Sequence, residues 1–169
     1  MTITRRQLLQ WTAALGLAGS VATGISISNW WETDPDAPYI NLNLLEANVV
    51  NAVSGAAFPT GPTIELDGEK AGLDRFFDGV LSSMSTENRK LLKLLLEAVD
   101  RATLPTHATY FTNLPLGDRQ RCVEQWLDSP SHLIRGAIQS LIVLLGMGYT
   151  AHPVASEHLS RYFRCGFGG

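Results

Sequence analysis

Apolar residues at helical spacing are the feature of this sequence that most constrains its fold. From Asn41 onward they recur three and four residues apart, which places them on one face of a helix. The alternation typical of a strand is limited to a weak stretch at 63–66. The stretch 91–99 is apolar nearly all round, so we expect it at the centre of the domain. The sequence therefore predicts an all-α fold, a small bundle of about five to six helices over residues 41–162.

Proline and glycine set the predicted ends of these helices. The segment 58–62 contains two prolines, so it ends the first helix and begins a loop. Ser129-Pro130 predicts a cap and a first helical residue for a long apolar helix. Gly146 and Gly148 are expected to stop that helix.

Residues 1–23 have the three-part pattern of an export signal. Arg5 and Arg6 form its positive start, an apolar stretch covers 8–21, and Ala22 is a small residue suited to signal cleavage. The arginine pair directly before apolar residues resembles the motif that the twin-arginine translocase recognises. This motif predicts export of an already folded domain.

The signal could also stay attached as a membrane anchor. Residues 8–27 are long enough to span a bilayer, although several polar side chains make them a poor span. The sequence is therefore consistent with cleavage of the signal or with its retention as an anchor. Residues 24–40 are rich in proline and polar side chains and predict a linker, and residues 163–169 predict a flexible tail.

Charge and cysteine content exclude two classes of function. The net charge is −3 and no basic cluster appears, so we expect no nucleic-acid partner. The two cysteines, Cys122 and Cys165, are too few for a disulfide scaffold or a closed zinc site. They could pair with each other in an oxidising compartment, pair with a partner protein, or remain free.

Motifs that carry chemistry are missing from the sequence. It has no glycine-rich turn between a strand and a helix, no nucleophile elbow, and no pair of histidines at metal-binding helical spacing. The acidic side chains of Asp74 and Asp78 are expected on an exposed helix face, where water solvates them. We therefore predict no catalytic, cofactor-binding or metal-binding residue in this chain. Because twin-arginine cargo usually carries a cofactor, the cofactor is expected in a second protein exported with this one.

Several segments in a fixed order resemble the gluconate 2-dehydrogenase subunit 3 family. The resemblance covers about residues 41–159 and is carried by the signal, Ala56-Ala57-Phe58-Pro59, the Leu73 to Leu81 helix with the Leu-rich helix after it, Phe111-x-x-Leu114 with Arg119 and Trp126, and Gly148-Tyr149-x-x-His152-Pro153. It implies a small non-catalytic subunit of a membrane-associated dehydrogenase. The implied catalytic partner is a flavoprotein of the glucose–methanol–choline type that holds FAD, often with a cytochrome c subunit. The implied location is the periplasm, at the outer face of the inner membrane.

Five aromatic residues are candidates for contact with such a partner. They are Phe58, Tyr110, Phe111, Tyr149 and Phe167. For any single one of them, burial in the core is the stronger expectation. Two other functions remain open from the sequence. One is a membrane-tethered structural or scaffold protein, and the other is an independent exported enzyme with a catalytic cluster such as His107 with Tyr110.

Overall fold

A computed structural model describes residues 38–162 of the chain. Over that range the chain forms α-helices and one short 3-10 turn at Phe111–Asn113, and no strand, which confirms the all-α prediction for the described residues. The stretch 63–66 belongs to an irregular loop. The helices are α1 (Leu44–Ala57), α2 (Leu73–Ser82), α3 (Thr86–Arg101), α4 (Leu104–His107), α5 (Leu116–Leu127), α6 (His132–Ala151) and α7 (Pro153–Tyr162).

Helix α1 lies at the centre of the domain, where α3 was expected. It packs against α2, α3, α5, α6 and the 3-10 turn. Apart from Glu46, its buried positions are small or medium-sized, such as Val50, Val53 and Ser54, so neighbouring helices approach it from several sides. Helix α3 lies at the edge instead, with Leu91 42% exposed. The presence of apolar residues on every side of α3 therefore did not identify the central helix.

Helix α6 continues past the two glycines that were expected to stop it. It runs to Ala151, and both glycines face aromatic rings. A Cβ at Gly148 would stand 2.5 Å from Cδ1 of Phe76, and one at Gly146 would stand 3.6 Å from Cζ of Phe58. These glycines thus permit close packing rather than a helix stop.

The start of α6 also differs from the prediction. The N-cap is Ser131, whose hydroxyl accepts the backbone N–H of Ile134 at 3.5 Å. Ser129 lies two residues earlier, and its carbonyl accepts a bond from Arg135 at 2.5 Å. A hydroxyl before a proline predicted the region of the cap but placed it two residues too early.

Candidate functional site

A buried carboxylate holds the chain just before α1. Asp78 of α2 is 7% exposed, and its two oxygens accept the backbone N–H groups of Ile40 at 2.9 Å, Asn41 at 2.7 Å and Leu42 at 2.9 Å. The Asn41 amide adds bonds to the Asp78 carbonyl at 3.2 Å and to Ser82 Oγ at 2.7 Å. The expectation that Asp78 is a solvated surface charge is therefore wrong, because three backbone donors from a distant segment replace water around it.

A buried ion pair fixes the same segment from the other side. Lys93 of α3 is 2% exposed, and its Nζ lies 3.1 Å from Oε2 of Glu46 and 2.8 Å from the carbonyl oxygen of Asn41. Glu46 also completes a capping box with Asn43, in which each side chain accepts the other residue's backbone N–H. Burial raises the pKa of Glu46, while its bonds to Asn43 and Lys93 oppose that rise. The lysine therefore neutralises a carboxylate that the fold has removed from water.

Tyr39 and Asp74 add a third attachment. The Tyr39 hydroxyl donates to Oδ2 of Asp74 at 2.5 Å, and this bond is the main cause that raises the pKa of Tyr39 to about 12. Asp74, which was also expected on an exposed helix face, is half-buried and accepts this bond from the segment before α1. We call residues 39–42, held by Asp74, Asp78 and Lys93, the strap.

Three exposed aliphatic side chains lie in the strap and in the first turn of α1. Ile40 is 77% exposed, Leu44 50% and Leu45 76%. The neighbouring Leu42 is fully buried, so the backbone beneath them is anchored in the core. We call Ile40, Leu44 and Leu45 the tip. Ile40 lies on the held backbone, and Leu44 and Leu45 follow within five residues of it, so these exposed side chains are candidates for contact with another protein.

Three of the five aromatic candidates belong to internal packing. Phe58 stacks on Tyr149 with ring centroids 4.8 Å apart, and the Tyr149 hydroxyl donates to the carbonyl of Leu66 at 2.8 Å. Phe111 is fully buried and lies 5.4 Å from the ring of Trp126. Phe111 and Tyr149 therefore offer almost no surface to a partner in this fold, and Phe58 is half-buried against the core.

Of the other candidates, one is exposed, one is buried and five lie outside the described residues. Tyr110 is 37% exposed, so it remains available for contact. Cys122 is a buried, free thiol, and burial raises its pKa. Five predicted residues lie outside the described range: Arg5, Arg6, Ala22, Cys165 and Phe167.

The described residues contain no cluster of metal-binding side chains and one long apolar helix. Within 38–162, no group of three or more His, Cys, Asp or Glu side chains could hold a metal ion. Helix α6 is the one helix there that is long and apolar enough to cross a membrane, with a mean hydropathy of 1.4 and 22% of that stretch buried. Leu141 and Leu145 of α6 line the core, whereas most of that helix is not buried among the described residues.

The strap and the tip were not predicted from the sequence, although two sequence features pointed to them. Asn43-x-x-Glu46 is a capping-box pattern that locates the start of α1, and Leu44-Leu45 lies within its first turn. Lys93 inside a leucine-rich helix was a second signal, because a buried lysine needs a partner. No family model, curated protein or solved structure matches this chain.

Proposed function

We propose that this protein is a non-catalytic accessory subunit that escorts a flavin-dependent dehydrogenase of the glucose–methanol–choline type. It carries the catalytic subunit through twin-arginine export and stays bound to it in the periplasm, at the outer face of the inner membrane. FAD belongs to the catalytic subunit, and a cytochrome c subunit takes the electrons onward. The observation that carries this proposal is the rigidly held apolar tip of Ile40, Leu44 and Leu45.

A fixed apolar tip suits docking because little freedom is lost when a partner binds it. The backbone of residues 40–42 is already ordered by bonds to Asp78 and Lys93. Full burial of an aliphatic side chain contributes about 1.5–3 kcal/mol. Burial of three such side chains therefore gives no large surplus over the free-energy cost of association, which is about 4–15 kcal/mol. A partner must therefore contact further surface of this chain in addition to the tip.

The position of the tip suits an escort. Residues 24–40 connect the predicted signal to the tip. An extended chain covers at most about 3.3–3.6 Å per residue, so the signal stays within roughly 60 Å of the tip. A catalytic subunit docked at the tip would therefore travel close to the signal that the translocase reads.

Docking is tested by isolating the tagged full chain from its own cells and assaying flavin-dependent dehydrogenase activity in the purified complex. Leu45→Asp places a charge in the tip, and we expect loss of the flavoprotein from the purified complex. Val154→Asp is the matched control, because Val154 is a 47% exposed aliphatic residue on α7. Equal recovery of the flavoprotein with both variants would contradict docking at the tip.

Escort is tested by export of the catalytic subunit. Arg5→Lys with Arg6→Lys keeps the charges but removes the planar guanidinium pair. We expect dehydrogenase activity to move from the periplasmic and membrane fractions to the cytoplasm, with flavin still bound. A catalytic subunit that still reaches the periplasm in this double variant would contradict the escort role and leave only the docking role.

A further inference from the structure

The strap is attached to the rest of the domain mainly by polar groups. Every hydrogen bond that it makes to a described residue goes to α2 or α3, and the bonded residues lie 35–52 positions apart in the chain. Leu42 is its one fully buried apolar side chain, and Tyr39 is half-buried. The other large apolar side chains that are fully buried lie on helices or in the 3-10 turn. We propose that the strap is a latch, which opens and closes as one unit while the helices stay folded.

The bonds of the strap converge on two charged side chains, and this favours opening as one unit. Oδ1 of Asp78 accepts the N–H groups of both Asn41 and Leu42, and Oδ2 accepts that of Ile40. Lys93 Nζ donates to the carbonyl oxygen of Asn41. If one of these residues lifted alone, its N–H group would lose its acceptor while its neighbours still kept water out, which is costly for a polar group.

Full opening does not carry that cost. When the whole strap leaves, water reaches the freed N–H groups and both charged side chains, and it replaces the bonds that were lost. Partly open states are therefore less favourable than the open or the closed state. The closed state predominates, because it also buries Leu42 and keeps Tyr39 bonded to Asp74.

The latch decides whether the tip is assembled. Ile40 belongs to the strap, whereas Leu44 and Leu45 belong to α1, which begins after its own cap at Asn43. Opening therefore separates Ile40 from the two leucines and dismantles the tip without unfolding the domain. This inference goes beyond the proposed function, because the latch needs no partner. A partner that binds all three side chains of the tip favours the closed state.

Local opening is tested by native-state hydrogen exchange of the full chain at low urea concentrations. The amides of Ile40, Asn41 and Leu42 should share one free energy of opening, lower than that of Val53 in the middle of α1. Because an open strap exposes little new surface, their exchange should depend only weakly on urea, whereas exchange at Val53 should depend on it strongly. If the three amides had the same free energy and urea dependence as Val53, the strap would open only on global unfolding, and the proposal would be overturned.

Opening as one unit is tested by Ser82→Ala. The Ser82 hydroxyl accepts the side-chain amide of Asn41 at 2.7 Å, so this substitution removes a bond to only one of the three residues. If the strap is a latch, exchange should nevertheless accelerate at all three amides by the same factor, roughly 2- to 10-fold. Ser83→Ala is the matched control, because the Ser83 hydroxyl donates to the carbonyl of Val80 in α2 at 2.7 Å, and it should leave the three rates unchanged. Faster exchange at Asn41 alone, or an equal effect of the control, would overturn the proposal.

Discussion

Gly148 of α6 lies directly against the ring of Phe76 of α2. A Cβ on this glycine would stand 2.5 Å from Cδ1 and 2.7 Å from Cγ of the ring, closer than atoms can pack. Because Cγ is the near end of the ring, a small rotation of Phe76 does not relieve the contact. The missing side chain is therefore what lets α6 approach α2 without a break in the helix.

Substitution of the α6 glycines should separate packing from helix propensity. Gly148→Ala should lower the free energy of unfolding by about 1 kcal/mol, because overpacking costs about 1–3 kcal/mol and alanine returns about 1 kcal/mol of helix propensity. Gly136→Ala is the control and should raise that free energy by up to about 1 kcal/mol, since its Cβ meets open space. Urea denaturation of the two variants checks both values. A stabilised Gly148→Ala protein would contradict the close approach.

Removal of the Asp78 carboxylate should release the strap. Asp78→Ala leaves the backbone N–H groups of Ile40, Asn41 and Leu42 without their acceptor, and we expect a loss of about 3 kcal/mol of stability. Hydrogen exchange at these three amides should accelerate more than exchange in the core of α1. The control is Asp128→Ala at the exposed C-terminal end of α5, where we expect a change within about 0.5 kcal/mol. Unchanged exchange at the three amides would argue against the strap.

Removal of the buried lysine should make stability strongly pH-dependent. Lys93→Met leaves the Glu46 carboxylate buried without its cation, which typically costs about 3–5 kcal/mol. Burial already raises the pKa of Glu46, and loss of the lysine raises that pKa further. When the pKa of a carboxyl is higher in the folded state than in the unfolded state, the group costs no stability below its unfolded pKa. The loss of stability grows as pH rises from the unfolded pKa and is complete above the folded pKa. The variant should therefore lose less stability at pH 4.5 than at pH 7.5, as measured by thermal unfolding at the two values. An equal loss at both would contradict an ionised buried pair.

The Tyr39 hydrogen bond should stabilise the fold up to alkaline pH. The pKa of Tyr39 is raised to about 12, mainly because its hydroxyl donates to Asp74. An unfolded tyrosine ionises near pH 10, so the contribution is fully present below pH 10 and is lost as pH rises towards 12. Tyr39→Phe should lower stability at pH 8 and flatten its decline between pH 10 and 12. Tyr110→Phe, which lies outside the strap, is the control, and its stability should fall between pH 10 and 12 as in the unmodified protein. If stability flattened in this control as well, Tyr39 would not be the cause of the fall.

The helical class and the approximate helices could be predicted from the sequence by itself. Helix formation depends on residues three and four apart, and this local spacing is visible in any stretch of the chain. The loop after α1 followed from the two prolines in 58–62, and its predicted position agrees with the end of α1 at Ala57. The prediction located the α6 cap only to within two residues, because Ser129 and Ser131 are both competent caps.

Only the tertiary structure decided the candidate site and the central helix. Asp78 and Asn41 are 37 residues apart and Lys93 and Asn41 are 52 apart, so no local pattern joins them. On an isolated helix each of these charges would be solvated, and burial became favourable only because another segment supplied backbone donors, a carbonyl or an opposite charge. The local sequence pattern predicts that Gly148 ends a helix, whereas in the fold the absence of a side chain there makes room for Phe76. The sequence by itself determined which segments become helices, because that depends on near neighbours. The packed chain alone decided which charges are buried and which apolar side chains stay exposed, because those depend on residues that meet only after folding.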